Sequence, residues 1–315
     1  MGGTPMKVFV TGASGFIGEA LTSRLLASEG LAVGGIDLVP AAKPRTAAFD
    51  FIQADLASLR PGQRNQLREK IEQADVVIHL AAESYVHDSY DAPERYVQNN
   101  IAATFQLLEI IRVSSPVRLI HVSTCEVYGN TGLTAATELS MVRPLSPYAA
   151  TKLSGEALSS AYASSYQIPT TIVRPFNLYG PGQQSNRLIP RTIARVRDGQ
   201  ALHVSGDGRQ VRDWTYVADA VELFIRIAHT ISAEPTLEVV NLSSGRGTSV
   251  NEILRMIANA AGRKPALRWS DEHAGSLRTS VGANHKATKK YGWSPRVCLE
   301  EGIERTVRLS RGRDA

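Results

Sequence analysis

Short apolar runs alternate with helix-like stretches through the first half of the chain. The runs lie at Val8–Val10, Ala32–Leu38, Asp75–Leu80, Leu119–Ser123 and Thr171–Val173. They are mostly continuous and rich in Val and Ile, which is typical of strands that are buried on both faces of a parallel sheet. Because helices separate the strands, the pattern predicts βαβ units and an α/β fold with a doubly wound parallel sheet.

The pattern changes after Gly180-Pro181-Gly182, where Arg, Gly and Asp become frequent. A later apolar run at Val239–Leu242 has the length and composition of a strand that returns to the sheet. We therefore predict a main domain over residues 1–178, with a returning segment near 213–242. The remainder of residues 179–315 is predicted to form a smaller C-terminal lobe that closes over a ligand.

Composition narrows the choice of partners. The chain has 315 residues, of which 43% are hydrophobic, and a formal net charge of +5. Its basic residues are scattered and its aromatic residues are few, so we predict no nucleic-acid partner. Two cysteines and seven histidines without ligand spacing predict no disulfide framework and no metal site, and they favour a reducing, cytoplasmic compartment. No apolar run reaches the roughly 18–20 residues of a membrane helix, so no membrane partner is predicted.

Three glycines, Gly12, Gly15 and Gly18, follow the first predicted strand and open the first predicted helix. In this spacing the first glycine permits a tight turn, the second lets the backbone approach a pyrophosphate, and the third allows close packing of helix on strand. The free N–H groups at the helix N-terminus then face the phosphates. The motif predicts that the main domain is a Rossmann domain that binds a dinucleotide.

Asp37 indicates which dinucleotide is bound. It ends the second strand, about 20 residues past the glycine loop, where a carboxylate accepts hydrogen bonds from the ribose hydroxyls. Because the same charge would repel a 2′-phosphate, the sequence predicts NAD rather than NADP. Asp55 and Leu56, which follow the third strand, are predicted to lie at the adenine edge.

Tyr148 and Lys152 are four residues apart and share one face of a helix that Ser146 caps and Pro147 starts. A nearby ammonium lowers the pKa of a tyrosine below its ordinary value of about 10. The phenolate then takes a proton from a hydroxyl while hydride leaves for nicotinamide. The pair therefore predicts redox chemistry at an alcohol carbon. It argues against the alternative of a sensor that binds dinucleotide without turnover.

Taken together, these motifs resemble the extended short-chain dehydrogenases/reductases, in particular the NAD-dependent nucleotide-sugar epimerase/dehydratase family, over nearly the whole chain. The resemblance rests on Thr11–Gly18, His79–Ser84, Ser123–Gly129, Tyr148 with Lys152, Arg174–Pro181, Arg187–Pro190, Gly206–Gly208, Arg212–Tyr216 and Gly292–Pro295. Within the family, the chain most resembles the NDP-hexose 4,6-dehydratases and the tunicamycin-type hexosamine 5,6-dehydratases.

The resemblance implies two sets of binding residues. Those implied to bind NAD are Gly12, Ser14, Gly15, Phe16, Ile17, Gly18, Asp37, Asp55, Leu56, Leu80, Ala81, Ala82, Asn100, Ser123, Tyr148 and Lys152. Those implied to hold the nucleoside-diphosphate sugar, a UDP- or dTDP-hexose or hexosamine, are Ser84, Asn177, Arg187, Leu188, Val204, Arg212, Asn241 and Arg278. A homodimer is implied in the same way, whereas His79 is interpreted as part of the packing at a strand end.

The segment Ser123-Thr124-Cys125-Glu126 bears on the reaction type. By resemblance, Thr124 hydrogen-bonds the sugar 4-hydroxyl alongside Tyr148. A ketone at C4 acidifies the C5 proton, which the Glu126 carboxylate can take. The 4,6-dehydratases have Asp where this chain has Cys125, whose thiol is a weaker hydrogen-bond donor than a carboxylic acid. Cys125 is therefore either the acid that assists loss of the C6 hydroxyl or a buried small hydrophobe.

Three enzyme classes stay open at this point. Our sequence-based hypothesis is a lyase, a nucleotide-sugar dehydratase with bound and recycled NAD. Thr124, Tyr148 and Lys152 would oxidise C4. Glu126 would then deprotonate C5, and Cys125 would assist the loss of water, with hydride returning to C6 in 4,6-dehydration or to C4 in 5,6-dehydration. The alternatives are an NDP-sugar 4-epimerase, which needs neither Cys125 nor Glu126, and a UDP-glucuronate decarboxylase.

Overall fold

A computed structural model of the chain describes residues 5–28, 30–40, 49–114, 117–230, 237–271 and 276–311. The chain forms two compact units, each built from more than one stretch of sequence. The first comprises Met1–Val127, Ser146–Arg174 and Phe224–Val240. The second comprises Tyr128–Leu145, Pro175–Leu223 and Asn241–Ala315. The sequence predicts a main domain over residues 1–178 with a returning segment near 213–242. Residues 224–240 of the first unit lie within that segment, whereas residues 128–145 lie in the second unit.

Hydrogen bonds explain why these two segments lie where they do. The Ala136 N–H donates to the Val281 carbonyl at 2.8 Å, so residues 128–145 are held by the C-terminal part of the chain. In the first unit, the Arg118 guanidinium donates to the carbonyls of Ala228 and Thr230 at 2.7 and 2.6 Å. Contacts between residues so distant in sequence leave no periodic signal from which a boundary could be predicted.

The described residues form strands β1–β13 and α-helices α1–α11. The strands are β1 (Met6–Thr11), β2 (Leu31–Asp37), β3 (Phe49–Gln53), β4 (Val76–His79), β5 (Arg118–Val122), β6 (Thr170–Pro175), β7 (Asn177–Tyr179), β8 (Leu202–Ser205), β9 (Val211–Tyr216), β10 (Leu237–Leu242), β11 (Gly247–Ser249), β12 (Leu267–Ser270) and β13 (Thr279–Ser280). The helices are α1 (Phe16–Leu26), α2 (Pro61–Glu72), α3 (Asp88–Asp91), α4 (Pro93–Tyr96), α5 (Ala103–Arg112), α6 (Pro147–Tyr166), α7 (Leu188–Arg197), α8 (Val217–His229), α9 (Val250–Ala261), α10 (His285–Tyr291) and α11 (Leu299–Arg311).

Within the described residues, seven strands form one sheet in the order β10-β6-β5-β4-β1-β2-β3. The strands from β3 to β6 run parallel to their neighbours. All four residues of β4 are buried, as expected for a strand that is covered on both faces. The doubly wound parallel sheet is therefore confirmed, with the strand order of a Rossmann domain and with β10 as the predicted returning strand.

The second unit has a separate apolar core. Strand β9 pairs with β11, β13 and β7, and β8 pairs with β12. Its core contains the buried side chains of Tyr179, Trp214, Ile253 and Ile303. This unit provides the smaller lobe that the sequence predicts.

Local sequence signals set both ends of α6. The Ser146 Oγ accepts a hydrogen bond from the Ala149 N–H at 3.1 Å, and Pro147 occupies the first helical position, as predicted. The helix ends where Gln167 adopts a left-handed conformation with a φ of 56°. Neither α6 nor any other helix in the described part of the chain is long and apolar enough to cross a membrane.

A π-helical segment, Val97–Ala102, joins α4 to α5. This helix form is rare and is often found at functional sites. Asn100 is its buried residue, and the Asn100 side chain both accepts a hydrogen bond from the backbone of Glu83 and donates one to it. The Glu83 N–H donates to Asn100 Oδ1 at 2.8 Å, and Asn100 Nδ2 donates to the Glu83 carbonyl at 3.1 Å. The segment thereby fixes the loop that follows β4.

Candidate active site

Close backbone contacts require glycine at two positions of the glycine loop. Gly12 has a φ of +70°, and a Cβ there would lie 2.7 Å from the Ala81 nitrogen. A Cβ on Gly18 would lie 2.0 Å from the Gly12 carbonyl oxygen. Gly15 is the N-cap of α1, with Phe16 and Ile17 in the first turn, and no side chain caps the helix. The uncapped N–H groups of this turn fit a pyrophosphate.

Asp37 ends β2 and is half-buried. Its Oδ2 accepts a hydrogen bond from the Ser14 N–H at 2.8 Å, and its Oδ1 accepts one from the Val39 N–H at 3.1 Å. The first bond ties the glycine loop to β2. A carboxylate has about four lone-pair positions, so Asp37 retains acceptors for the two ribose hydroxyls.

The other residues predicted to bind NAD lie in the same unit. Asp55 closes its own turn, because its carboxylate accepts from the Ala57 N–H at 2.9 Å and from the Ser58 hydroxyl at 2.8 Å. Leu56 beside it is buried. Residues Leu80–Ala82 follow β4 directly and are half-buried. Their contact with NAD stays a prediction.

Thr124, Cys125 and Glu126 follow β5, and Cys125 starts a 3₁₀ helix that ends at Tyr128. The Glu126 N–H donates to the Thr124 Oγ1 at 3.2 Å, which fixes this turn. Thr124 and Cys125 are buried, whereas Glu126 is half-buried. The Ser123 hydroxyl is buried and has no hydrogen-bond partner within the described residues. An unsatisfied hydroxyl at a strand end fits a contact to a ligand.

Tyr148 and Lys152 lie in the first two turns of α6, and both are buried. The ring of Tyr96 packs edge-on against that of Tyr148, with centroids 6.2 Å apart. Burial lowers the pKa of Lys152 to about 8, and the nearby Glu156 carboxylate partly offsets this shift. Lys152 therefore remains mostly charged at neutral pH, as the predicted role beside a tyrosine phenolate requires.

Lys152→Met is expected to stabilise the fold at neutral pH by up to roughly 3 kcal/mol. The pKa of Lys152 falls from 10.5 to about 8 on folding, so between these values the unfolded chain binds more protons and stability rises with pH. Denaturant unfolding at neutral pH and above pH 10.5 measures this. The gain should shrink at the higher pH. An equal gain at both pH values would mean that the buried charge is not its cause.

The second unit contains the residues predicted to hold the nucleotide sugar, apart from Ser84, which is exposed in the first unit. Asn177 begins β7, and its Oδ1 is buried without a hydrogen-bond partner in the described part of the chain. Arg187 is the N-cap of α7 and Leu188 its first residue. Arg212 on β9 is half-buried. An unsatisfied acceptor, two guanidinium groups and a helix N-terminus fit a phosphorylated ligand.

Arg278 is exposed and holds the Asp207 carboxylate with both terminal nitrogens, at 2.9 and 3.0 Å. This pair lowers the pKa of Asp207 to about 2. Val204 is buried on β8. An open cavity of about 470 Å³ is lined by Gly206, Asp207, Trp269, Ser270 and Asp271. Arg278 thus contacts one lining residue, Asp207, and Val204 is paired in register with another, Trp269.

Asn241 is held by hydrogen bonds from several parts of the second unit. Its side-chain Nδ2 donates to the carbonyls of Ala136 and Ala283 at 2.9 and 3.3 Å. Its Oδ1 accepts from the Tyr128 hydroxyl at 2.7 Å. Both amide protons and the side-chain oxygen of Asn241 are therefore hydrogen-bonded within the second unit. Its contact with the nucleotide sugar stays a prediction.

The sequence-based predictions do not include the buried partners of α6. Arg174 holds Glu156 through two hydrogen bonds, from Nε to Oε1 at 2.9 Å and from Nη2 to Oε2 at 2.6 Å. Tyr96 packs on Tyr148. Glu156 follows Lys152 by four residues, which places it on the same helix face, and that spacing is the signal from which its proximity could have been predicted.

Comparison with known proteins agrees with this architecture. A family model described as the NAD dependent epimerase/dehydratase family matches residues 8–243. The chain belongs to this family of nucleotide-sugar enzymes. The predicted resemblance is therefore confirmed, and so is NAD as the cofactor of the family.

Individual relatives differ in their activities. The chain is 32% identical to a UDP-glucuronate 4-epimerase of Thermodesulfobacterium geofontis, over 96% of this chain and 95% of that protein. It is also 32% identical to the trifunctional UDP-glucose 4,6-dehydratase/UDP-4-keto-6-deoxy-D-glucose 3,5-epimerase/UDP-4-keto-L-rhamnose-reductase RHM1 of Arabidopsis thaliana, of which it spans 47%. The structure of the UDP-glucuronic acid 4-epimerase from Bacillus cereus with UDP-glucuronic acid and NAD superposes with a TM-score of 0.90, at 32% identity, over 97% of this chain and 99% of that one.

Proposed function

We propose that this protein is a UDP-sugar 4-epimerase with bound NAD. The observation that carries the proposal is the pairing of Tyr148 with Lys152 on α6, in the same unit as the glycine loop. The oxidation of C4 that this pair supports is common to epimerases and dehydratases. The relatives named above favour 4-epimerisation, because the two that match over nearly their full length are 4-epimerases.

The proposed chemistry needs one proton carrier and one fixed charge. Tyr148, as phenolate, takes the proton of the C4 hydroxyl, and the ammonium of Lys152 stabilises the phenolate. The Thr124 hydroxyl orients the C4 oxygen. NAD, when bound, supplies the acceptor for the C4 hydride. After the keto sugar has presented its other face, Tyr148 would return its proton to the C4 oxygen while the hydride returns to C4 on that face, which inverts C4.

In the second unit, Asn177, Arg187 and Arg212 are proposed to hold the nucleoside diphosphate. The guanidinium groups would neutralise the diphosphate charge. Asn177 Oδ1 would accept a hydrogen bond from a hydroxyl or N–H group of the ligand, which would satisfy its buried lone pairs. The homodimer and the cytoplasmic location stay expectations from the sequence.

Dehydration is the second candidate, and Glu126 is the observation that favours it. A 4-epimerase has no use for a carboxylate in the turn after Thr124. A dehydratase uses one to remove the C5 proton. Glu126 is half-buried and its turn is fixed by the Thr124 hydroxyl, so it is held next to a group proposed to contact the sugar.

Product analysis distinguishes the candidates. Purified protein is incubated in deuterated water with UDP-glucose, UDP-N-acetylglucosamine, UDP-glucuronate or dTDP-glucose, and products are identified by NMR and mass spectrometry. Inversion at C4 without loss of mass or uptake of deuterium is the expected result. Loss of water with deuterium at C5 and a C4 ketone would instead indicate a 4,6-dehydratase, and a vinylic C6 a 5,6-dehydratase. Loss of carbon dioxide from UDP-glucuronate would indicate a decarboxylase.

Glu126→Gln is expected to leave 4-epimerisation unchanged, because the substitution keeps the shape of the side chain and removes only its charge. The steady-state turnover of the UDP-sugar that the wild type converts fastest measures this. Cys125→Ala serves as the matched control in the same turn and should also retain activity. A fall of about a hundredfold or more in the Glu126→Gln rate is the size expected for a lost general base and would favour dehydration over 4-epimerisation.

A further inference from the structure

Two buried histidines lie side by side behind the catalytic helix. His79 and His121 are paired in register at the ends of β4 and β5, and their ring centroids are 5.4 Å apart. His79 is 1% exposed and His121 is fully buried. The proposed chemistry uses neither of them. The two rings differ in how they are hydrogen-bonded, and this difference points to a role for His79.

The hydrogen-bond directions around His79 are determined by its partners. The Thr104 hydroxyl donates to the Asn100 carbonyl at 2.6 Å, so its oxygen can only accept from His79 Nε2, which lies 2.9 Å away. His79 therefore carries its proton on Nε2, and its Nδ1 accepts from the Thr11 hydroxyl at 2.7 Å. This neutral tautomer agrees with a pKa lowered to about 3, first by burial and second by the charge of Lys152.

One end of this chain of hydrogen bonds lies at the glycine loop. Thr11 is the last residue of β1 and directly precedes Gly12. Its Oγ1 also accepts a hydrogen bond from the Ala81 N–H at 3.2 Å. Ala81 is the residue whose nitrogen a Cβ on Gly12 would strike. Thr11 and His79 together therefore set the spacing between the glycine loop and the segment after β4.

The other end lies on the catalytic helix. The Asn100 side chain donates from Nδ2 to the Thr151 Oγ1 at 3.0 Å. The Thr151 hydroxyl in turn donates to the Tyr148 carbonyl at 2.8 Å. The connection from His79 thus runs through Thr104 to the π-helical segment, and from there to the backbone of Tyr148.

We propose that His79 is a positioning residue that sets the catalytic helix α6 relative to the glycine loop, through Thr11 on one side and through Thr104 and Asn100 on the other. The inference rests on the proposed function, because Tyr148 is the acid–base group whose position it fixes. A displacement of about 1 Å in a reacting group costs on the order of a hundredfold in rate. Because His79 has a single tautomer and both of its ring nitrogens are hydrogen-bonded, it holds Thr11 and Thr104 in one relative position.

His121 provides an internal comparison. Its Nδ1 lies 3.1 Å from the Ser159 hydroxyl, and its Nε2 has no hydrogen-bond partner within the described residues. A Cβ on Gly155 would lie 3.1 Å from the ring, so the ring is held by packing against α6. His121 is as buried as His79 but does not link the glycine loop to the helix. Changes around His121 should therefore perturb packing without moving Tyr148.

The test compares two substitutions at Thr104. Thr104→Val keeps the volume but removes the oxygen that accepts from His79 Nε2, whereas Thr104→Ser keeps that oxygen. We expect kcat with a UDP-sugar to fall about tenfold to a hundredfold in Thr104→Val, with KM and NAD retention unchanged. Thr104→Ser should restore the wild-type kcat. Ser159→Ala, which removes the hydroxyl beside His121, should leave kcat unchanged.

Hydrogen exchange provides a readout that does not depend on turnover. Amides of the first two turns of α6 should exchange faster in Thr104→Val than in wild type, Thr104→Ser or Ser159→Ala. If wild type transfers no hydride to NAD from any UDP-sugar, the proposed function fails while the exchange result still decides the inference. Should Thr104→Val not fold, Thr11→Val against Thr11→Ser tests the other end of the same connection.

Three results would overturn the inference. One is unchanged exchange in α6 of Thr104→Val. Another is a loss in Thr104→Ser as large as in Thr104→Val, because the cause would then be volume rather than the hydroxyl. The third is an equal loss in Ser159→Ala, which would indicate that any buried change behind α6 has this effect.

Discussion

Tyr148→Phe is expected to lower kcat with UDP-sugars by a factor of about 10²–10⁴, the usual contribution of a general acid–base group. The substitution removes the hydroxyl that takes the C4 proton. It keeps the ring that packs against Tyr96, with centroids 6.2 Å apart, so the fold should be retained. Steady-state kinetics together with the absorbance of reduced nicotinamide after mixing with a UDP-sugar measure the effect. Both signals should fall together.

Tyr96→Phe is the matched control for this substitution. Tyr96 is fully buried, and its hydroxyl donates to the Tyr85 carbonyl at 2.5 Å. The change removes a buried hydroxyl from the ring next to Tyr148 but takes no group from the proposed chemistry. We therefore expect a loss of stability of about 1 kcal/mol with nearly normal kcat. If Tyr148→Phe were as active as Tyr96→Phe, the assignment of Tyr148 as the proton carrier would fail.

Arg174→Met is expected to lower the free energy of unfolding by about 3–5 kcal/mol. The Arg174 and Glu156 side chains are only 7% and 5% exposed, and two hydrogen bonds join them. Removing the guanidinium leaves the Glu156 carboxylate charged and buried without its partner. Equilibrium unfolding in urea, followed by circular dichroism, measures the change.

Two further variants test whether loss of the Arg174–Glu156 pair causes the fall in the free energy of unfolding. Combining Glu156→Gln with Arg174→Met removes the stranded charge and should recover part of the stability. Arg68→Met breaks the exposed pair with Glu72, whose side chains are 52% and 35% exposed, and should cost less than about 1 kcal/mol. Equal losses in Arg174→Met and Arg68→Met would contradict the prediction.

Local signals account for most of what the sequence predicted correctly. The strands around the glycine loop were predictable because continuous apolar runs fit a sheet that is covered on both faces. Ser146 and Pro147 predicted the start of α6 because capping depends on neighbouring residues. The spacing of Gly12 and Gly18 was informative because only glycine fits two sites of such close backbone contact.

Contacts that depend on distant parts of the chain could not be predicted from the sequence. The hydrogen bonds from the Asn241 side chain to the carbonyls of Ala136 and Ala283 join residues that are far apart in the sequence. The composition change near residue 180 did not reveal that residues 128–145 belong with the C-terminal part of the chain. His79 was predicted only as packing, because its connection depends on β1 and α5 at once.

The π-helical segment makes the helix that contains it sensitive to the insertion or deletion of single residues. Each residue of an α-helix turns the chain by about 100°, so a one-residue deletion within Val97–Ala102 would restore regular helix on one side and rotate everything on the other. Asn100 would then leave Glu83 and Thr151 even though no side chain had been replaced. Point substitutions on the outer face of this helix should be tolerated. In relatives that keep the same hydrogen bonds, alignment gaps should fall outside this segment.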